Sequence, residues 1–273
     1  MSRLSINFRE KATIQDSGAA VVADISTLAT RGIEMNPNER HNGFDCRPSA
    51  PQVAVIIYYI VANAVFGIIL YPNLMDLAAT HVRGTLIFTL STLVCIPFVV
   101  CSALTLFLAY DVTAACPTDP LVRQQRMFKK HKLEFNFDAD GSRDTKDDMH
   151  CNVCNLTVQG RTKHCAPCNR CCSEFDHHCV WLNNCIGARN YGNFRRLIFW
   201  FLLFNLLSLA LVATAAGFGL LGSESSKIAT PLKYLVYVQA LFAAVVSLFD
   251  LQLILFHAWL VSKSITTFEY VHY

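Results

Sequence analysis

Four long apolar runs set the plan of the chain, at about 53–71, 85–109, 197–221 and 235–261. At about 1.5 Å of rise per residue, each is long enough to cross a hydrocarbon core of about 30 Å. Only helices and closed barrels satisfy every backbone donor and acceptor inside lipid, and runs of this length point to helices. Pro97 falls within the second run and predicts a kink, because it removes one backbone hydrogen bond. The polar stretches between the runs are uneven: two short loops and one long central segment. The expected fold class is all-α integral membrane, a four-helix transmembrane bundle with a cysteine-rich segment between the second and third helices.

The expected organisation runs as follows. Residues 1–50 form a cytosolic arm without regular structure, in which 19–28 has some amphipathic character. Transmembrane helices 1 and 2 occupy 51–110, and a cytosolic linker occupies 111–148. The cysteine-rich domain spans 149–196, helices 3 and 4 span 197–262, and a short cytosolic tail spans 263–273. The first apolar run begins too far into the chain for a signal peptide.

Composition agrees with a membrane location. Residues are 53% hydrophobic and only 16% charged, against about 25% charged in a soluble domain. Of the 23 Lys and Arg, 6 lie in the N-terminal arm and 13 in the central segment. Both therefore face the cytosol, and four crossings return the C-terminus there. A glycosylation sequon at Asn155 and Thr157 then lies in the wrong compartment for use. The net charge of +3, with no basic stripe among aromatics, argues against nucleic acid as a partner.

Of 12 cysteines, eight fall between Cys151 and Cys185, mixed with His164, His177 and His178. Such clustering reads as metal binding rather than a disulfide framework. The CxxC pairs Cys151/Cys154, Cys165/Cys168 and Cys168/Cys171 suit zinc, since a tight turn brings two sulfurs to one ion. Two four-ligand zincs use eight of the eleven Cys and His, and spacing alone does not say which three are left. Asp176, His177 and Cys179 stand together within the cluster as acid, base and nucleophile. An imidazole can take the thiol proton, and a carboxylate can orient the imidazole. The same spacing also allows Asp176 to be a partner of a zinc-bound histidine.

Asp176-His177-His178-Cys179 within this frame resembles the DHHC protein S-acyltransferases, or palmitoyltransferases. The resemblance continues through Cys185, Asn190 and Phe194, and Thr266-Thr267-Phe268-Glu269 is similar to the family's TTxE motif. It implies one zinc on Cys151, Cys154, His164 and Cys171, and a second on Cys165, Cys168, His178 and Cys185. It implies Cys179 as nucleophile, His177 as base and Asp176 as orienting carboxylate, with the TTxE threonines approaching Asp176. Trp181 would lie near the start of the acyl chain. Arg161 and Lys163 are either contacts for the phosphates of the donor, palmitoyl-CoA or another long-chain acyl-CoA, or a solvated basic face. The implied reaction passes a fatty acyl group from CoA through a Cys179 thioester to thiols of membrane-associated proteins with accessible cytosolic cysteines. An endomembrane (Golgi or ER) or plasma-membrane location is expected.

The sequence departs from that pattern in three places. Leu121 follows Asp119-Pro120 where the family has glycine. Cys172 is either an extra acylation site or a small buried residue. The sequence stops at Tyr273, where the family pattern continues into a further segment, a shortened C-terminus. Two other readings compete: a zinc scaffold without catalysis, and a metal transporter. Residues 136–147 imitate a calcium loop with a poor twelfth position and no following helix. Asp250 and His257 share a face of the fourth helix, either bonding another helix or contributing polarity to an acyl cavity or headgroup site.

Overall fold

The computed structural model describes residues 11–16, 19–24, 39–80, 82–130, 149–222 and 228–272. The chain divides into two compact units: residues 1–40 with 118–174, and residues 41–117 with 175–273. The calcium-like segment 136–147 and most of the N-terminal arm lie outside the described residues.

The first unit holds a hairpin, β1 (Lys11–Asp16) with β2 (Ala19–Asp24), in register Lys11 to Asp24. The arm was expected to lack regular structure. The β-branched Thr13, Ile14, Val21 and Val22 favour strands there instead. The helix α3 (Pro120–Lys130) opens the rest of this unit. Asp119 caps it, its carboxylate accepting from Leu121 N–H at 2.7 Å, Gln159 N–H at 2.9 Å and the Thr162 hydroxyl at 2.6 Å. Pro120 takes the first helical position, where its missing N–H costs nothing. Leu121 is buried inside α3, a place that makes no demand for glycine. Two short hairpins follow, β3 (Met149–Cys151) with β4 (Leu156–Val158), and β5 (Lys163–Cys165) with β6 (Arg170–Cys172). Gln125 clamps α3 to β4 by donating to Thr157 C=O at 2.6 Å and accepting its N–H at 3.1 Å. The small core here is Val122, Val158, Cys151 and Cys171.

The second unit carries the four apolar helices. They are α1 (Ala50–Thr80), α2 (Gly84–Ala114), α4 (Tyr191–Gly217) and α5 (Thr230–Lys263). Outward side chains such as Ile56, Leu93 and Leu248 are exposed, as a lipid-facing surface requires. Inward, Phe66, Phe98 and Phe204 pack as tilted rings with 4.3 and 5.0 Å between ring centres. The helices are longer than the apolar runs suggest. Thr80 bonds the carbonyl of Asp76 at 3.0 Å and Asn73 that of Ile69 at 2.7 Å, so polar residues extend α1. Within α1, Val65–Leu70 winds as a π-helix, and α2 runs through Pro97 without interruption. A third hairpin, β7 (His177–Cys179) with β8 (Asn184–Ile186), precedes α4, and α6 (Thr267–His272) follows α5. The molecule is thus mostly helical rather than all-α. Backbone groups in a 36-residue stretch too cysteine-rich to build helical faces, Met149 to Asn184, pair in hairpins instead.

Candidate active site and metal-binding hairpins

The three cysteine-rich hairpins are copies of one another. They start at Met149, Lys163 and His177, 14 residues apart, and their registers match position for position. Each carries His-Cys-x-x-(Cys or Leu)-Asn: His150 to Asn155, His164 to Asn169 and His178 to Asn183. The closing Asn155, Asn169 and Asn183 all have positive φ, near 50°, which asparagine tolerates better than most residues. In the second and third copies the histidine pairs directly with a cysteine across the strands: His164 with Cys171 and His178 with Cys185. This repeat is legible in the sequence, although CxxC spacing alone does not bring it out.

The first ligand set lies within the first unit. His164 Nδ1 is 3.9 Å from Cys151 Sγ, 3.4 Å from Cys154 Sγ and 3.9 Å from Cys171 Sγ, and the Cys154 and Cys171 sulfurs are 3.5 Å apart. Four ligands at about 2.0–2.3 Å from one tetrahedral zinc sit roughly 3.3–3.8 Å from each other. Burial raises the Cys171 and Cys154 thiols. Burial opposes Cys151 too, yet the N–H of Cys154 and neighbouring donors hold it below the ordinary value. Three crowded sulfurs of this kind cannot all ionise without a cation between them, so the donor set fits zinc.

Cys165 ends β5, and Cys168 ends the tight turn Ala166–Cys168. His178 Nδ1 and Cys185 Sγ face each other at 3.9 Å across β7 and β8. Two Cys/His clusters can accordingly hold metal ions.

The third hairpin differs in a telling way. Cys179 stands where Cys151 and Cys165 stand in the other copies, but Leu182 replaces the second cysteine. Cys179 is buried in an apolar cluster with Leu108, Leu197 and Ile198. Just before it, Asp176 is almost fully buried. Its carboxylate accepts from His177 Nδ1 at 2.7 Å, from Thr267 N–H at 2.8 Å and from the Thr267 hydroxyl at 2.8 Å. Burial would raise Asp176, but those three donors hold it below the usual carboxylate range. Burial would likewise lower His177. Hydrogen bonds with Asp176 and Cys179 outweigh it and push His177 up to about 9. The Phe194 ring meets His177 edge-on at 5.4 Å. His257 lies 6.0 Å from His177 between ring centres and bonds the Tyr191 hydroxyl at 3.1 Å.

The TTxE stretch divides its work. Thr266 Oγ1 accepts from Glu269 N–H at 3.2 Å, and Glu269 accepts from Thr266 N–H at 2.8 Å. That reciprocal pair is a capping box that starts α6, and it leaves Thr267 turned to Asp176. Further supports escaped sequence reasoning. Buried Asn184 donates to the carbonyls of Val112, Thr113 and Ala115 at 2.9, 3.1 and 2.9 Å, closing the end of α2. Ser49, the N-cap of α1, donates to Val180 C=O at 2.5 Å. Nothing in composition or spacing marks either residue.

The other expected site residues lie as follows. Arg161 is exposed in the turn before β5, in the left-handed region. Lys163 begins β5 and is half-buried. Trp181 is exposed at the tip of the third hairpin. Cys172 is fully buried at the end of β6, as a packing residue would be.

Four membrane-length apolar helices, Cys/His clusters that can hold metal ions and a buried Asp176–His177 pair near Cys179 make up the candidate site and its frame. Residues 144–273 match the family model of the DHHC palmitoyltransferases, which supports a DHHC-family protein. That domain supports palmitoyltransferase activity in general, and with its four apolar helices the chain is a multi-pass membrane protein. A search of curated proteins found none that matches.

Proposed function

We propose that this protein transfers a long fatty acyl group from acyl-CoA to protein thiols through a thioester on Cys179. The observation that carries the reading is the buried Thr267-Asp176-His177 array beside Cys179. His177, its Nδ1 proton committed to Asp176, takes the thiol proton of Cys179. The Cys179 sulfur attacks the acyl carbonyl, the carbon–sulfur bond to CoA breaks, and CoA leaves as a thiol with the proton from His177. A substrate cysteine then gives its proton to His177, attacks the acyl-enzyme and takes the acyl group. Cys179 leaves and regains the proton. One thioester replaces another at each step, so no further energy source is needed.

The apolar cluster round Cys179 supports placing the acyl chain among the helices, where each buried CH₂ contributes about 0.8 kcal/mol. Zinc on Cys151, Cys154, His164 and Cys171, and on Cys165, Cys168, His178 and Cys185, would brace hairpins too small to make a core. The Lys and Arg distribution supports cytosolic termini and membrane-associated protein substrates with cytosolic cysteines. Arg161 and Lys163 are the candidate contacts for CoA phosphates, and Trp181 for the start of the chain.

The test is autoacylation of the purified protein with an alkyne-tagged palmitoyl-CoA, comparing wild type with Cys179→Ser at equal zinc content. Hydroxylamine-labile label on the wild type alone is expected. Equal label on both would move the nucleophile elsewhere, and label on neither would favour a zinc scaffold.

A further inference from the structure

Five oxygens on buried polar side chains of the four helices have no hydrogen-bond partner among the described residues: Gln52 Oε1, Ser91 Oγ, Thr105 Oγ1, Gln239 Oε1 and Asp250 Oδ2. Gln52, Thr105 and Asp250 are 6%, 4% and 7% exposed and come from α1, α2 and α5. Other threonines in these helices, such as Thr89, Thr92 and Thr214, bond the carbonyl four residues back. Thr105 does not.

The three lie at one depth. Tyr191 against His257 and Ser208 against Gln239, each at 3.1 Å, fix the antiparallel register of α4 and α5. That register puts Asp250 level with Leu197 and Ile198. Asn193 against Asp111 at 2.7 Å, with the rings of Phe98 and Phe204 5.0 Å apart, sets Thr105 beside the same turn. Tyr58 bonded to Asn205, with Tyr59 and Phe204 5.4 Å apart, sets Gln52 there as well. Cys179 lies just above this layer. Leu108 and Ile254, one helical turn from Thr105 and Asp250, belong to the apolar cluster round its thiol. Gln52 sits in the first turn of α1, whose cap Ser49 bonds the residue after Cys179.

We propose that Gln52, Thr105 and Asp250 form a subsite for an oxygen carried on the acyl chain, a hydroxyl close to the carboxyl end. This rests on the reading of Cys179 as the acyl carrier. A chain leaving that thiol into the bundle reaches the layer after about one helical turn, roughly 5.4 Å, the span of its first few carbons. An unpartnered oxygen in an apolar interior costs about 1–3 kcal/mol. A water there would be swept out by the incoming chain and leave the oxygens bare again, whereas a chain hydroxyl brings the missing donor with it. A cation fits poorly, since three oxygens fall short of the six or more that hard cations take.

The test uses the full chain in detergent with equal 3-hydroxypalmitoyl-CoA and palmitoyl-CoA, reading the mass of the acyl group on the protein. Wild type is expected to load the hydroxylated chain about tenfold faster. The Thr105→Val and Asp250→Leu variants should lose or reverse that preference at unchanged zinc content. No preference in wild type, or one that the variants retain, overturns the proposal, with water alone satisfying the layer. A melting shift with the two free acids separates this from the transfer reading. If neither donor loads, acyl transfer through Cys179 fails. The subsite then stands only if 3-hydroxypalmitate stabilises wild type more than palmitate does and the variants show no difference; equal shifts in wild type overturn it.

Discussion

Replacing Asp176 by Asn tests the array at its most buried member. The amide keeps the size and can still accept from Thr267, but it removes the charge that holds His177 at about 9. Burial, which lowers the imidazole, is then opposed mainly by the Cys179 contact, and His177 falls from about 9 toward its ordinary range. A less basic imidazole takes the Cys179 proton less readily: a fall of roughly two units in His177 costs about 3 kcal/mol at about 1.36 kcal/mol per unit. His177 is about a quarter exposed, and solvent screening trims this, so an autoacylation rate lower by about 10²-fold at pH 7.5 is the expectation. The gap should narrow as pH rises, because alkaline solution takes the place of the base. The assay is single-turnover loading of palmitoyl-CoA from pH 6.5 to 9.5, with zinc content and melting temperature as controls. A loss that stays constant across that range would refute the reasoning, and so would no loss at all.

Four other outcomes follow from the same geometry. His177 is raised in the folded state, so its contribution to stability is complete below about 6.5 and disappears as pH passes about 9; melting temperature should fall across that window in wild type and hardly at all in Asp176→Asn. His164→Ala removes one ligand of the first set, and zinc analysis should find about one ion lost per chain, with a lower melting temperature. Leu182→Cys restores a CxxC at the third hairpin; Cys179 should then become resistant to alkylation, by metal capture or a disulfide, and autoacylation should stop, whereas Leu182→Val should stay active. Asn184→Ala leaves the last carbonyls of α2 without their donor and should cost about 1–3 kcal/mol, read as a drop in melting temperature.

Much of the plan was legible because it rests on counting. Apolar runs disclose the helices, and the Cys and His spacing discloses the metal clusters. Helix ends were less legible: α1 continues past its apolar run because Asn73 and Thr80 satisfy carbonyls within it, which hydropathy does not weigh. Strands of three residues give too short an alternation to be seen, although the 14-residue repeat betrays them. The candidate triplet stands out because Asp176, His177 and Cys179 are neighbours in sequence. Asn184 and Ser49 do not, since each acts on a carbonyl more than 65 residues away and a carbonyl leaves no mark on the side-chain alphabet. Gln52, Thr105 and Asp250 share a layer only through the register of four helices.

The hairpin repeat bears on how the protein is made. Every ligand of the first cluster precedes Cys172 in the chain, so that cluster leaves the ribosome before the third hairpin does. Cys179 emerges eight residues after Cys171, with Leu182 where a second sulfur would have been. Synthesis order and one leucine together keep a thiol built on a zinc-ligand template from being claimed as a ligand, and leave it for carbon.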